Sequence, residues 1–216
     1  MTLPAIDPLA ITSSSDIEIL LSHCDGPLCW EHVFGNRYPV EIEIGSGKGK
    51  FIIRSAHAHP DKNFLGIERA GKFYRILKER ALRAGISNIR IVRCDAAYFL
   101  RKYIPAASVH AYHIYFPDPW PKKRHHKRRL VTQEFIALLS ETLMPGGHLF
   151  FATDFREYFE IITMHARACP TIQEILCTTI LPGTVDPEQA PTNYERKYLM
   201  QGREIYKAAY IKRLSP

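Results

Sequence analysis

The chain has 216 residues, 46% of them hydrophobic and 11% aromatic, which fits one globular domain and excludes a disordered polymer. Its formal net charge is +7, and residues 122–129 alone carry six fixed positive charges, so the basicity is a patch suited to a polyanion. No apolar run reaches the roughly 18 residues that a membrane span needs, the N-terminus lacks a secretory pattern, and five scattered cysteines match no zinc spacing and suit a reducing cytoplasm.

Residues 1–37 read as a peripheral lead-in, with Ser13–Asp16 able to cap a short helix over Ile17–Ser22. A single domain is expected over 38–216. It opens with a strand at Val40–Ile44, a turn Gly45-Ser46-Gly47-Lys48-Gly49, and a helix over Lys50–His57. A second strand, Asn63–Ile67, ends at Glu68. The helix Gly71–Ala84 shows Phe73, Leu77, Ala81 and Ala84 on one face and Lys72, Arg75, Lys78 and Arg83 on the other, and Gly85 stops it. A third strand, Asn88–Val92, leads to Asp95. The fourth, Val109–Phe116, runs into Pro117-Asp118-Pro119-Trp120 and then Lys122, Lys123, Arg124, His125, His126, Lys127, Arg128 and Arg129.

Thr132–Leu143 reads as a helix, Pro145-Gly146-Gly147 as a turn, and His148–Thr153 as a fifth strand. Asp154 and Glu157 have capping-box spacing for a helix over Phe155–Ala168, with Tyr158, Ile161, Ile162 and His165 inward. Thr171–Thr179 and Glu204–Ile211 read as two last strands joined by a long connection, Leu181–Gly202. Alternating strands and helices imply an α/β fold with a doubly wound, mostly parallel sheet, and the last two strands an antiparallel hairpin at its edge.

Ligands of such sheets bind beyond the carboxyl ends of the strands. Three features converge there: the glycine turn, which frees backbone N–H groups at a helix start, and the carboxylates of Glu68 and Asp95. Glu68 suits ribose hydroxyls, as in both nicotinamide and S-adenosylmethionine enzymes. Glu43, two residues before the first glycine, favours the second: a pyrophosphate is repelled by a carboxylate, whereas an ammonium and a sulfonium are attracted. Asp118, held between two prolines, presents one carboxylate from a stiff backbone, with Trp120 and the basic run beside it.

The motifs E-I-G-S-G-K-G, F-L-G-I-E-R, R-C-D-A-A, F-P-D-P-W-P-K-K-R-H-H-K-R-R, A-T-D-F and T-N-Y-E-R-K together resemble the bacterial single-chain tRNA (guanine-N7)-methyltransferase family over positions 43–197. That resemblance implies a Rossmann-like, seven-stranded methyltransferase sheet. It implies S-adenosylmethionine as cofactor, held by Glu43, Gly45, Gly47, Glu68, Asp95 and Asp118, with Asp118 also catalytic. It assigns Lys122, Asp154, Thr192, Asn193, Tyr194 and Glu195 to the substrate. Lys123, Arg124, Lys127, Arg128 and Arg129 then face RNA. The expected partner is tRNA, modified in the variable loop, with no metal, no required protein partner, and a monomeric or homodimeric state. Lys197 and Tyr194 stand where some relatives carry Arg and Phe. Two rivals are an enzyme methylating an exocyclic amine, against which the single proline before Trp120 speaks, and an inactive nucleic-acid-binding module, against which the four intact carboxylates speak. A nicotinamide oxidoreductase would leave the basic run without a purpose.

Overall fold

The computed structural model describes residues 17–214. Its strands are β1 (Val40–Ile44), β2 (Asn63–Ile67), β3 (Ile89–Val92), β4 (Val109–Tyr115), β5 (Leu143–Thr153), β6 (Ile172–Ile180) and β7 (Ile205–Lys212). They form one sheet in the order β3-β2-β1-β4-β5-β7-β6. β1 to β5 pair in parallel, while β7 runs antiparallel to both its neighbours. The expected antiparallel pair therefore forms, with the last strand inserted between β5 and β6.

The helices are α1 (Trp30–Phe34), α2 (Lys50–Ala58), α3 (Gly71–Ala84), α4 (Ala96–Tyr103), α5 (Gln133–Thr142), α6 (Arg156–Arg167) and α7 (Asn193–Met200). Side chains alternate across a strand, so Val40, Ile42 and Ile44 join one core while Glu41 and Glu43 face the other way. The larger core packs α1, α4, α5 and α6 on the sheet, including Phe99, Tyr112, Leu139 and Tyr158. On the opposite face Ile52 and Ala56 of α2 and Tyr74, Leu77 and Ala81 of α3 cover Phe64, Ile89 and Ile91. A smaller cluster under α7 joins Ala152, Ala190, Leu199 and Ile205.

Several elements differ from the sequence reading. Ile17–Ser22 is not an α-helix: Ile19 N–H donates to Ile91 O at 2.8 Å and Ile91 N–H to Ile17 O at 2.8 Å, so Ile17–Ile19 is extended beside β3, and only Leu21–His23 turns, as one 3-10 turn. The proposed cap at Ser13–Asp16 lies outside the described residues. Residues 17–37 supply Ile19, Leu28, Val33 and Phe34 to the main core. α5 ends at Thr142, and Pro145-Gly146-Gly147 is an irregularity within β5. Gly146 has φ +77°, and a Cβ on Gly147 would lie 2.9 Å from both His110 O and Met144 O. The strand can bend there only because both residues lack a side chain.

Asp154 and Glu157 make no capping box. Thr153 Oγ1 accepts from Phe155 N–H at 3.1 Å instead, and the two carboxylates pair with Arg203 and Arg129. On α3 the buried face is Tyr74, Leu77 and Ala81, while Ala84 is exposed and Phe73 turns to the cleft described next. On α6 it is Tyr158, Phe159, Ile162, Thr163 and Ala166, leaving Ile161 and His165 half-buried.

Candidate active site

β1 delivers the chain into a loop that only glycine tolerates well: Gly45, Gly47 and Gly49 all have positive φ, at 78°, 55° and 77°. The loop is tied to the neighbouring strand, with Gly45 N–H donating to Ile67 O at 2.8 Å. Gly66 in β2 makes this approach possible, since a Cβ there would meet Ser46 Oγ at 2.9 Å. Glu68, just beyond β2, is buried, and its two oxygens accept from Gly47 N–H at 2.8 Å and Ala70 N–H at 2.7 Å. Each oxygen keeps a further lone pair for a ligand.

Glu43 is the unusual group. Its side chain is buried and Oε2 has no hydrogen-bond partner among the described residues. Burial pushes its carboxyl up to about 8; contacts from Ser46 and the Ile52 backbone oppose this, and Glu68 adds to it. Glu41, two residues earlier on the same face, is the contrast. Burial raises it, but His113 at 2.8 Å and Lys62 at 2.7 Å outweigh that and hold it down at about 2. His113 also shares a 3.0 Å hydrogen bond with the Tyr115 hydroxyl, fixing that ring beneath Phe51, at 4.9 Å between centroids.

Glu43, Gly45 and Gly47 line a cavity of about 200 Å³ with Phe73 and Tyr115. Its far wall is the start of α7: Thr192, Asn193, Tyr194 and Lys197. Two motifs separated by some 150 residues thus close on one cleft. Thr192 caps α7 by accepting from Glu195 N–H at 3.0 Å. Glu68, Asp95, Asp118, Lys122 and Asp154 do not line this cavity. Asp95 caps α4 through Tyr98 N–H at 3.2 Å and lies 3.7 Å from Arg69, with its side chain half-exposed. Asp154 is bound by Arg203 at 2.7 Å.

Asp118 is exposed, and no described residue hydrogen-bonds it. The turn around it is strained, with Phe116 at φ +52° and Trp120 at φ +44°, conformations that cost bulky residues on the order of 1–3 kcal/mol each. What holds it is Arg129. Nε donates to Pro119 O at 2.8 Å, the terminal nitrogens donate to Glu157 Oε1 at 3.1 and 3.2 Å, and the guanidinium lies 4.9 Å from the Tyr158 ring centroid. Arg129 is therefore a correction to the expected RNA face, because its side chain is only 4% exposed. Glu195 is a second: it is buried and paired with Lys207 at 2.7 Å, supporting α7 from within. Lys123, Arg124, Lys127 and Arg128 are exposed on a 3-10 turn, with Arg128 stacked 5.0 Å from the Trp120 ring.

Sequence reading missed Ser46, Phe51, Phe73 and Tyr115 around the cleft. The available signal was positional: each closes a strand, follows its end or lies in the first turn of the helix after it. It also missed α4 and α7.

The strand order, the glycine loop after β1 and the carboxylate after β2 define a methyltransferase of the Rossmann-like class. Solved structures share the fold: TrmN from Thermus thermophilus has a TM-score of 0.59 at 17% identity, covering 84% of this chain and 46% of that one. A 16S rRNA (adenine(1408)-N(1))-methyltransferase from Catenulisporales acidiphilia gives 0.59 at 16%, covering 87% and 91%. Residues 37–208 match the family described as "Putative methyltransferase". The tRNA (guanine-N(7)-)-methyltransferase of Alkalilimnicola ehrlichii is 37% identical over 88% of this chain and 79% of its own length. That of Geobacter metallireducens is 39% identical over 86% and 88%. The chain belongs to the tRNA (guanine-N7)-methyltransferase family.

Proposed function

We propose that the protein methylates N7 of a guanine in tRNA, in the variable loop, using S-adenosylmethionine. The observation that carries this reading is the cleft itself. A buried carboxylate with one unpartnered oxygen, Glu43, lies at the foot of a glycine loop, and outside that cavity an exposed Asp118 stands in a rigid turn followed by four exposed cations.

The donor set fits the cofactor. Glu43 has an orphaned oxygen where a cation would be welcome, the loop glycines let backbone come close, and Glu68 keeps lone pairs for ribose hydroxyls. Asp95, beyond β3 and outside the cavity itself, is assigned to the cofactor with them. When bound, S-adenosylmethionine supplies an electrophilic methyl group on a sulfonium.

Guanine N7 carries a lone pair and no proton, so the chain has no base to provide. Its task is alignment, which can contribute roughly 7–11 kcal/mol. Asp118 accepts from the N1–H and N2–H edge of the guanine and favours the positive charge that methylation leaves on the ring. Lys122, Asp154, Thr192, Asn193 and Tyr194 border the entering nucleotide, while Lys123, Arg124, Lys127 and Arg128 neutralise phosphates. The purified chain acts without a protein partner, as a monomer or homodimer, in the cytoplasm.

Incubation with labelled S-adenosylmethionine and bulk tRNA, followed by nucleoside analysis, tests the reading. N7-methylguanosine is expected. Label in an N-methylated exocyclic amine, or none in RNA at all, would overturn it.

A further inference from the structure

A second cavity, of about 450 Å³, lies between α2 and α3. Lys50, Arg54 and His57 follow one another along one face of α2, Arg80 and Arg83 face them from α3, and Ile53 and Ile86 add apolar lining. No Asp or Glu lines it. None of Lys50, Arg54, Arg80 and Arg83 has an ion-pair partner within 4 Å among the described residues; the Glu188 carboxylate, which feels the charge of Lys50, is itself paired with Arg196. Lys78, one turn earlier on α3, is paired with Glu18.

One guanidinium group, that of Arg80, is steadied by a neutral acceptor, and that of Arg54 makes a longer contact to another. Arg80 Nη1 donates to Lys48 O at 2.9 Å and Arg54 Nη1 to Gln189 O at 3.4 Å. These bonds orient the forks without cancelling their charge. Cations converging on one groove repel each other, and an anion with several oxygens relieves that repulsion; arginine forks match phosphate in geometry as well as sign.

Position then selects the anion. Lys50 lines this groove and also the cleft holding Glu43, so the two adjoin. By the strand order, the groove lies on the β2–β3 side of β1, whereas the basic turn 123–128 follows β4 on the other side.

We propose that the α2–α3 groove seats a phosphate stretch of the same tRNA, so that the RNA backbone is gripped on both sides of the nucleotide entering the cleft. This rests on the tRNA reading above. Its footprint is Lys50, Arg54, Arg80 and Arg83, with His57 adding charge when protonated.

The test is the salt dependence of bulk tRNA binding by wild-type protein and by an Arg54→Gln/Arg83→Gln double variant. Arg80 is spared because it holds the glycine loop. S-adenosylmethionine affinity and the melting temperature report folding. Losing two phosphate contacts should make the log–log slope shallower by roughly 1.4–1.8 and weaken binding about tenfold near 0.15 M salt. Arg54→Lys/Arg83→Lys should recover most of the slope. An unchanged slope in the folded glutamine variant, with wild-type binding intact, overturns the groove alone. Loss of inorganic pyrophosphate binding with an unchanged tRNA slope overturns it too, in favour of a small-anion seat. Absence of tRNA binding by the wild type would instead count against the proposed function.

Discussion

Arg129 Nε donates to the carbonyl oxygen of Pro119 at 2.8 Å, so the last arginine of the basic run braces the turn that carries Asp118. Removing it should act on the turn and not on RNA electrostatics. Arg129→Met is expected to destabilise the fold by about 1–3 kcal/mol, the cost of a lost hydrogen bond to a charged donor, discounted because Glu157 is half-exposed. Arg129→Lys should behave similarly, since it keeps the charge and loses the fork. Turnover should fall while the salt slope of tRNA binding holds. A slope that drops by a full contact, with normal stability, would return Arg129 to the RNA face.

Asp118 separates chemistry from binding. Asp118→Asn keeps size and an acceptor, and Asn is a good turn residue. Single-turnover rates at saturating cofactor and tRNA should fall by roughly 10²–10³-fold, on the scale of one electrostatic catalytic group. A near wild-type rate under those conditions would strip Asp118 of its catalytic role.

Glu43 predicts a pH signature. Its carboxyl ordinarily titrates near 4.5 and in the fold titrates near 8. Between these values the folded chain binds more protons than the unfolded one. The ligand-free protein should therefore lose stability as pH rises from 4.5 to 8 and level off above, by at most about 4–5 kcal/mol from this group. Glu43→Gln should flatten that part of the profile. Binding a cationic ligand should also expel about one proton near pH 7. Calorimetry in buffers of different ionisation enthalpy reads this directly, and no buffer dependence would mean that Glu43 does not ionise to meet the ligand.

Glu68 has two duties, because its oxygens organise Gly47 and Ala70 before any ribose arrives. Glu68→Ala should weaken S-adenosylmethionine by about 1.5–3 kcal/mol, the value of charge-assisted hydrogen bonds. Unchanged affinity in a folded variant would remove Glu68 from the cofactor site.

What could be read in the sequence was local. Val40–Ile44, the glycine loop and Asn63–Ile67 are specified by alternation and by residues that tolerate positive φ, and they form as expected. The Ile17–Ser22 segment was misread because its Ile-Glu-Ile alternation signals a strand, yet its partner, Ile91, is more than 70 residues away. α4 was legible in retrospect, since Asp95 caps it and Ala96, Phe99, Leu100 and Tyr103 share a face. So was α7, whose Thr192-x-x-Glu195 spacing marks a helix start. The roles of Arg129 and Glu195 were not legible at all. Neither the basic run nor the T-N-Y-E motif reveals which member points inward to Pro119 or Lys207.

The insertion of β7 between β5 and β6 imposes an order on assembly. Among the described residues β6 pairs with β7 alone, and β5 has β7 as its outer neighbour. During synthesis β7 is made after both of its neighbours, and β6 joins the sheet only through it. Until it does, β5 shows a bare edge and β6, with Ile175 and Leu176 exposed, has nothing to bond. The nascent chain thus passes through a sticky interval that ends only when β7 leaves the ribosome, and a chaperone that shields strand edges would matter most at that moment.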